Sequence, residues 1–383
     1  MPDLVSSVLQ FNILTPRRMM KVVFDLMQLS AVTIERLFPG QERHVVWQEF
    51  RNKLEAFDLF ENVDSVLNLT PDPGVPLAQF VQRAKALDVH QTIWATEGLG
   101  HYHSEMCWEH MRVPGSVVTG NLWGVPAESM AALHAGTGLS LANHLLKTVS
   151  IRTSEAKIHD LLVQFIELCR NNCRPGYVGA AFEALGLVTR NLYPQLVHVV
   201  DRQLQKIGED QVGYFWHGVG RAIYFAPTNF LPFNNSPWRA VEMSQREPPH
   251  EIGRLNALAG LVWAVVFVNI RHPVILETLL KHHWTELTRN DAFSNGVSSS
   301  ILIWRDSTTD DSFIDALCQH QPESYDATLI EVWNNQVLEA CRNALHRYYP
   351  ILKEHDCLGE VFRYQSLPEL VTRLQRERTR RVT

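Results

Sequence analysis

The chain is poor in the features that mark secreted, membrane-spanning or nucleic-acid-binding proteins. Its 383 residues hold six cysteines, Cys107, Cys169, Cys173, Cys318, Cys341 and Cys357. They are too sparse for a disulfide framework, so a reducing compartment is expected. Cys169 and Cys173 are separated by three residues and do not form a CxxC pair. Residues 1–14 lack a cationic region followed by a long apolar run, so no signal peptide is expected and a cytoplasmic location follows. The longest apolar run, 255–270, is interrupted by Asn256 and Asn269. It falls short of the roughly 18 to 20 residues needed to span a bilayer and reads as a core helix. A formal charge of -6 leaves no general basic surface to neutralise phosphates, so no nucleic-acid partner is expected. The one arginine-rich stretch, Arg373 to Arg381, reads as a frayed, solvated tail.

Motifs are also missing. There is no HExxH, no Gly-x-Ser-x-Gly, no complete GxGxxG and no GxxxxGK[ST], which removes the sequence support for zincin, serine-hydrolase and phosphate-cradling chemistry. Strand signals are thin, since apolar runs such as Ile301-Leu302-Ile303-Trp304 are short.

An apolar fraction of 45% with 20% charged residues is that of a folded globular chain. Apolar residues at i+3 and i+4 spacing predict helices over residues 19–38, 42–60 and 328–349, with a last short helix over 367–374. Pro350 is expected to end the third of these, and Asp306 to Asp311 reads as a polar loop. The cluster Thr70-Pro71-Asp72-Pro73-Gly74-Val75-Pro76 reads as a linker.

Between these ends, one small-residue pattern recurs: Glu97-Gly98-Leu99-Gly100, His134-Ala135-Gly136-Thr137-Gly138, Glu183-Ala184-Leu185-Gly186, His217-Gly218-Val219-Gly220, Leu258-Ala259-Gly260-Leu261 and Asn295-Gly296-Val297-Ser298. Its spacing of roughly 34 to 49 residues leaves room for one small-residue helix plus one partner helix per unit. The partners are expected over 158–168, 192–207 and 274–284. Glycine in a helix interior costs about 1 kcal/mol relative to alanine, so its recurrence calls for a compensating close approach of backbones. The expected fold is all-α, built from imperfect helical-pair repeats with Gly-x-Gly helices. Residues 1–75 form an N-terminal helical extension, 76–300 the repeat core and 301–383 a C-terminal helical region with the basic tail.

Three segments, Glu97-Gly98-Leu99-Gly100, His134 to Ala142 and Gly213 to Phe225, carry a resemblance to a bacterial family of unknown function encoded in enediyne natural-product gene clusters. The third is similar to a family segment ending in Gly-x-Gly-Arg-x-x-x-Phe. The resemblance spans roughly residues 80 to 290. It implies an all-helical repeat fold and a role in secondary metabolism, with no assigned reaction.

Candidate chemistry lies on the repeats. Glu97 and His101 in one copy match His217 and Arg221 in another. If the units face each other, the four converge as a catalytic set, with Glu97 or His217 as acid or base and Arg221 holding an anionic group. The competing reading makes Glu97 and His217 buried ties between helices. Trp94, His134, Glu183 and Trp216 are the candidate ligand-binding residues, with Asn143 and His144 extending the polar interior. Trp108, Trp238, Trp263 and Trp284 would supply further apolar wall, or simply core packing. On one helix, Glu97, His101, Glu105 and Glu109 would form a stripe able to bind a metal, against the plainer reading of a salt-bridged face. No metal site is assigned and no cofactor can be named. The expected partner is a hydrophobic, polyketide-like small molecule, which an accessory or tailoring protein would shelter or act on. The alternatives are a non-catalytic scaffold for protein partners and a metal-dependent enzyme using Glu and His ligands.

Overall fold

The chain carries both small-residue helices and amphipathic ones, and the two kinds occupy different layers. The computed structural model describes residues 41–69, 75–110, 124–150, 152–230, 238–323 and 326–382, and every regular element among them is helical. The helix expected over 19–38 lies outside the described residues, as do residues 70–74 of the expected linker.

In order come α1 (Gln41–Glu61), α2 (Leu77–Ala84), α3 (Val89–Glu109), α4 (Met130–Leu146), α5 (Glu155–Asn172), α6 (Val178–Leu192), α7 (Val197–Ile207), α8 (Glu209–Phe225), α9 (Trp238–Arg246), α10 (Glu251–Asn269), α11 (Val274–Leu287) and α12 (Ala292–Ser307). Their starts are written locally. The Asp88 carboxylate caps α3 by accepting from Gln91 N, Ser154 caps α5 by accepting from Lys157 N, and the His250 ring caps α10 by accepting from Gly253 N.

The small-residue helices α3, α4, α6, α8, α10 and α12 form the inner layer. α4 is buried on every side from Met130 to Ala142, and α10 from Asn256 to Asn269. A return helix such as α5 instead buries one stripe, Ile158, Leu162, Phe165, Ile166 and Cys169, and faces solvent elsewhere. By length and composition α10 could cross a membrane, but 78% of its apolar window is buried inside the protein. That surface is spent on neighbouring helices, as expected for a core element.

Consecutive inner helices run in the same direction, because contacts climb together along both partners. On α3 and α4, Gly100 meets Leu133, Glu105 meets Ser140 and Trp108 stacks on His144. On α8 and α10, Gly220 meets Ala257 and Tyr224 meets Asn269. The crossings occur at glycine: a Cβ on Gly136 would stand 1.9 Å from Glu97 O, one on Gly218 2.0 Å from Glu183 O, and one on Gly260 2.0 Å from His217 O. No side chain larger than hydrogen fits there unless the helices part.

The row of helices curls until its start meets its end. Trp94 of α3 packs edge-on against Phe267 of α10 at 5.6 Å between ring centroids, and His90 lies 6.1 Å from Trp304 of α12. The described part of the N-terminal region lies across these helices. Arg271 pairs with Glu55 of α1, and Lys53 of α1 sits 3.9 Å over the Tyr224 ring.

The C-terminal region departs from expectation in three places. After α13 (Ser312–Gln319), Pro350 does not end the helix: α14 (Ala327–Trp333), α15 (Glu339–Asn343) and α16 (Tyr349–Glu354) are joined through the π turns Asn334–Leu338 and Ala344–Tyr348. The proline falls in the first turn after a π segment, where its missing N–H is tolerated. The arginine-rich stretch is not a frayed tail but part of α17 (Leu367–Val382), anchored by buried Leu367, Leu370, Val371 and Leu374. Asp306 belongs to α12 rather than to a loop, and its buried carboxylate accepts from Tyr177 and Tyr349 hydroxyls at 2.7 and 3.1 Å and from Lys353 Nζ at 2.5 Å.

Candidate functional site

Curling the row brings α8 opposite α3, and the charged residues of both meet inside. On α8, Tyr214, His217, Arg221 and Tyr224 follow one face at helical spacing. His217 Nδ1 lies 2.6 Å from Glu183 Oε1 on α6, and Arg221 Nη1 donates to the other Glu183 oxygen at 2.7 Å. Arg221 Nη2 reaches back across the interior to Glu97 Oε1 on α3 at 3.2 Å. The guanidinium lies over the face of Trp263 at 4.6 Å, and both His217 and Trp263 are flanked by Phe362 from the C-terminal region. His217 and Glu183 side chains are fully buried, whereas Glu97 keeps 8% and Arg221 4% of their exposure.

Two carboxylates sharing one guanidinium are driven apart in acidity. Burial pushes the Glu97 carboxyl above the ordinary range, helped by Glu183 and opposed by Arg221. Burial acts on Glu183 too, but Arg221 and His217 outweigh it and hold this carboxyl below its ordinary value. Burial works against the Arg221 charge as well, yet its two carboxylate partners raise its pKa further. Because an ionised Glu183 can only accept, the hydrogen of its bond to His217 sits on Nδ1. In the neutral ring Nε2 is then left with a lone pair, the arrangement that makes a carboxylate-oriented histidine a base.

Three buried polar atoms on touching side chains have no protein partner: His217 Nε2, Arg221 Nε and Trp263 Nε1. Leaving a buried polar atom unsatisfied costs about 1–3 kcal/mol, so such a concentration is the strongest local sign of a place for a hydrogen-bonding guest.

Of the four residues expected to act together, the structure brings together Glu97, His217 and Arg221 and adds Glu183. His101 is not brought in; one turn beyond Glu97, it lies against Phe60 with 5.4 Å between ring centroids. Arg221 is already engaged by two carboxylates, which alters the expected anion-holding role. Trp94 takes part in the aromatic interior, but Trp216 does not face the ion network: its Nε1 donates to Asp201 at 2.7 Å. His134 is fully buried and accepts from Arg174 N at 3.2 Å. Asn143 bonds to Tyr193, and Trp284 lies largely at the surface. The side chain of Trp238 lies outside the described residues. The stripe expected to bind a metal is split, because Glu97 faces Arg221 while Glu105 accepts from Ser140 Oγ at 2.6 Å. Among the described residues, no three His, Cys, Asp or Glu side chains gather in a metal-binding group.

Sequence reading missed Phe267, Trp304 and Phe362 as the aromatic rings packed around Trp263 and Trp94. Phe362 arrives from a distant segment and carries no local signal. The spacing of Tyr214, His217, Arg221 and Tyr224 did carry one, because four polar side chains on one face of an otherwise apolar helix need partners.

The opposed acidities give a testable contrast. Glu97, with its raised folded-state pKa, contributes stability that is complete at low pH and is lost as pH rises from the ordinary carboxylate range through the folded value. Glu183, with its lowered one, contributes stability present above the ordinary range and lost as pH falls through the folded value. Glu97→Gln is therefore expected to stay within about 1 kcal/mol of the natural protein at neutral pH and to flatten the decline on the alkaline side of the carboxylate range. Glu183→Gln is expected to lose at least about 2 kcal/mol through its two charge-assisted hydrogen bonds. Urea unfolding of both variants across pH measures this, and equal losses would contradict the assignment.

The fold and site thus define an all-α protein whose glycine-crossed helices enclose a buried Glu–Arg–Glu–His network. Compared with known protein families, curated protein sequences and solved structures, the chain matches none.

Proposed function

We propose that this chain is an accessory or tailoring protein of natural-product biosynthesis. It takes a hydrophobic, polyketide-like intermediate among its interior aromatic side chains and presents it to the Glu183–His217 pair. The unpartnered His217 Nε2, Arg221 Nε and Trp263 Nε1 carry this reading, since the three neighbouring side chains leave two N–H donors and one ring nitrogen for a guest. Glu183 orients the imidazole, His217 is the base, and Glu97 holds the far side of the Arg221 guanidinium. The resemblance of the glycine-rich segments to enediyne-cluster proteins supplies the metabolic context.

A scaffold for protein partners is the second reading. Its support is that Glu97, Glu183 and His217 each press their own carbonyl against a neighbour's glycine, as helix-tying residues would. The closing of the row through Arg221 and Glu97 weighs against it, because an open concave face between these helices is what such a scaffold uses.

The test is high-resolution mass spectrometry of the organic extract of purified protein, with tryptophan fluorescence across a library of apolar small molecules. A stoichiometric apolar, oxygen-bearing compound in the extract, or saturable quenching, is the expected result. A clean extract together with unmoved fluorescence would leave the network as a tie between helices.

A further inference from the structure

Resting on the reading of the interior as a ligand site, we infer that this site selects neutral, oxygen-bearing aromatic or polycyclic molecules and turns away carboxylates. Arg221 would ordinarily recruit an anion, but Nη1 is held by Glu183 at 2.7 Å and Nη2 by Glu97 at 3.2 Å. Two carboxylates face one guanidinium, so an incoming anion meets a surplus of its own charge, in an interior where water screens little. To reach the fork it must displace Glu97.

What the site still offers is a few single atoms. Arg221 Nε and Trp263 Nε1 each carry an N–H with no protein acceptor, and His217 Nε2 has no protein partner either. With Nδ1 donating to Glu183, a neutral imidazole would offer a lone pair there. A ketone or quinone oxygen answers the two donors, and a phenol, enol or acidic C–H answers the lone pair.

The walls fit the same class. Trp263 stacks on Phe267 at 4.4 Å between ring centroids, Trp304 lies 5.4 Å and Trp94 5.6 Å from Phe267, and Phe362 lies 5.9 Å from Trp263. Phe267 and the Arg221 guanidinium already lie over Trp263, so a flat apolar ligand meets these rings at their edges.

Isothermal titration of the full chain at neutral pH with three probes of one shape tests this: 2-acetylnaphthalene, 2-naphthoate and 2-naphthylmethylammonium. The ketone is expected to bind at least about tenfold more tightly than the carboxylate, one decade in Kd. In Glu97→Gln the guanidinium loses one of its two anions, so the gap closes or reverses. Trp263→Phe keeps the ring and deletes one donor, and is expected to weaken the ketone several-fold. An ammonium meets N–H donors on Arg221 and Trp263 where it needs acceptors, so carboxylate or ammonium binding as tight as the ketone, or a gap that Glu97→Gln leaves unchanged, overturns the inference while the ligand-site reading stands. Binding of none of the three probes overturns both.

Discussion

Replacing Arg221 by methionine is expected to cost about 3–5 kcal/mol of stability, because it leaves Glu97 and Glu183 facing each other inside the protein without a counter-charge. Methionine keeps the apolar stem of the side chain but not the guanidinium over Trp263, so the loss includes that contact as well as the charge. The deficit should shrink as pH falls: both carboxyls then have folded-state pKa values above their unfolded ones, and protonation removes the uncompensated charge. Urea unfolding at several pH values reads this directly. A loss below about 1 kcal/mol at neutral pH would put the network in the class of solvated surface pairs, and the burial argument would fail with it.

Gly260→Ala is expected to cost roughly 3 kcal/mol or more, toward the upper end for overpacked cores. Its Cβ would stand 2.0 Å from His217 O and 2.7 Å from His217 C, and both are backbone atoms that cannot turn aside. Relief comes only by moving α8 from α10, which also moves His217 and Arg221 relative to Trp263. The variant should therefore lose probe binding along with stability. Gly208→Ala is the control: nothing lies within 4 Å of a Cβ built there, and the only expected loss is that of alanine at the N-cap of α8, within about 1 kcal/mol. Similar thermal unfolding of the two variants would contradict the crossings.

Much of the helical layout was legible because it follows local rules. Apolar periodicity placed α1, α5, α7 and α11 within a few residues of their observed bounds, and the recurrence of small residues marked all six inner helices. The ends were less legible. Pro350 should stop a helix, yet the chain passes it through π turns, and the arginine-rich stretch stays helical because four apolar residues on one face dock it. In the site, matching Glu97 with His217 and Arg221 came from repeat position alone. The same matching misplaced His101: it lies four residues from Glu97 just as Arg221 lies four from His217, yet packing sets it beside Phe60.

By itself, the sequence determined that this protein is all-helical, that a set of its helices must touch backbone to backbone, and that a few ionisable groups sit beside those contacts. These are consequences of residue type and spacing, since glycine is kept inside a helix where a neighbour's carbonyl leaves no room for a methyl group. Only the tertiary structure decided that the row of helices curls, and therefore that Arg221 meets Glu97 across the interior while Glu183 takes up both Arg221 and His217. Partner choice among buried charges depends on which helices face one another, a relation between residues far apart in the chain that no local pattern encodes.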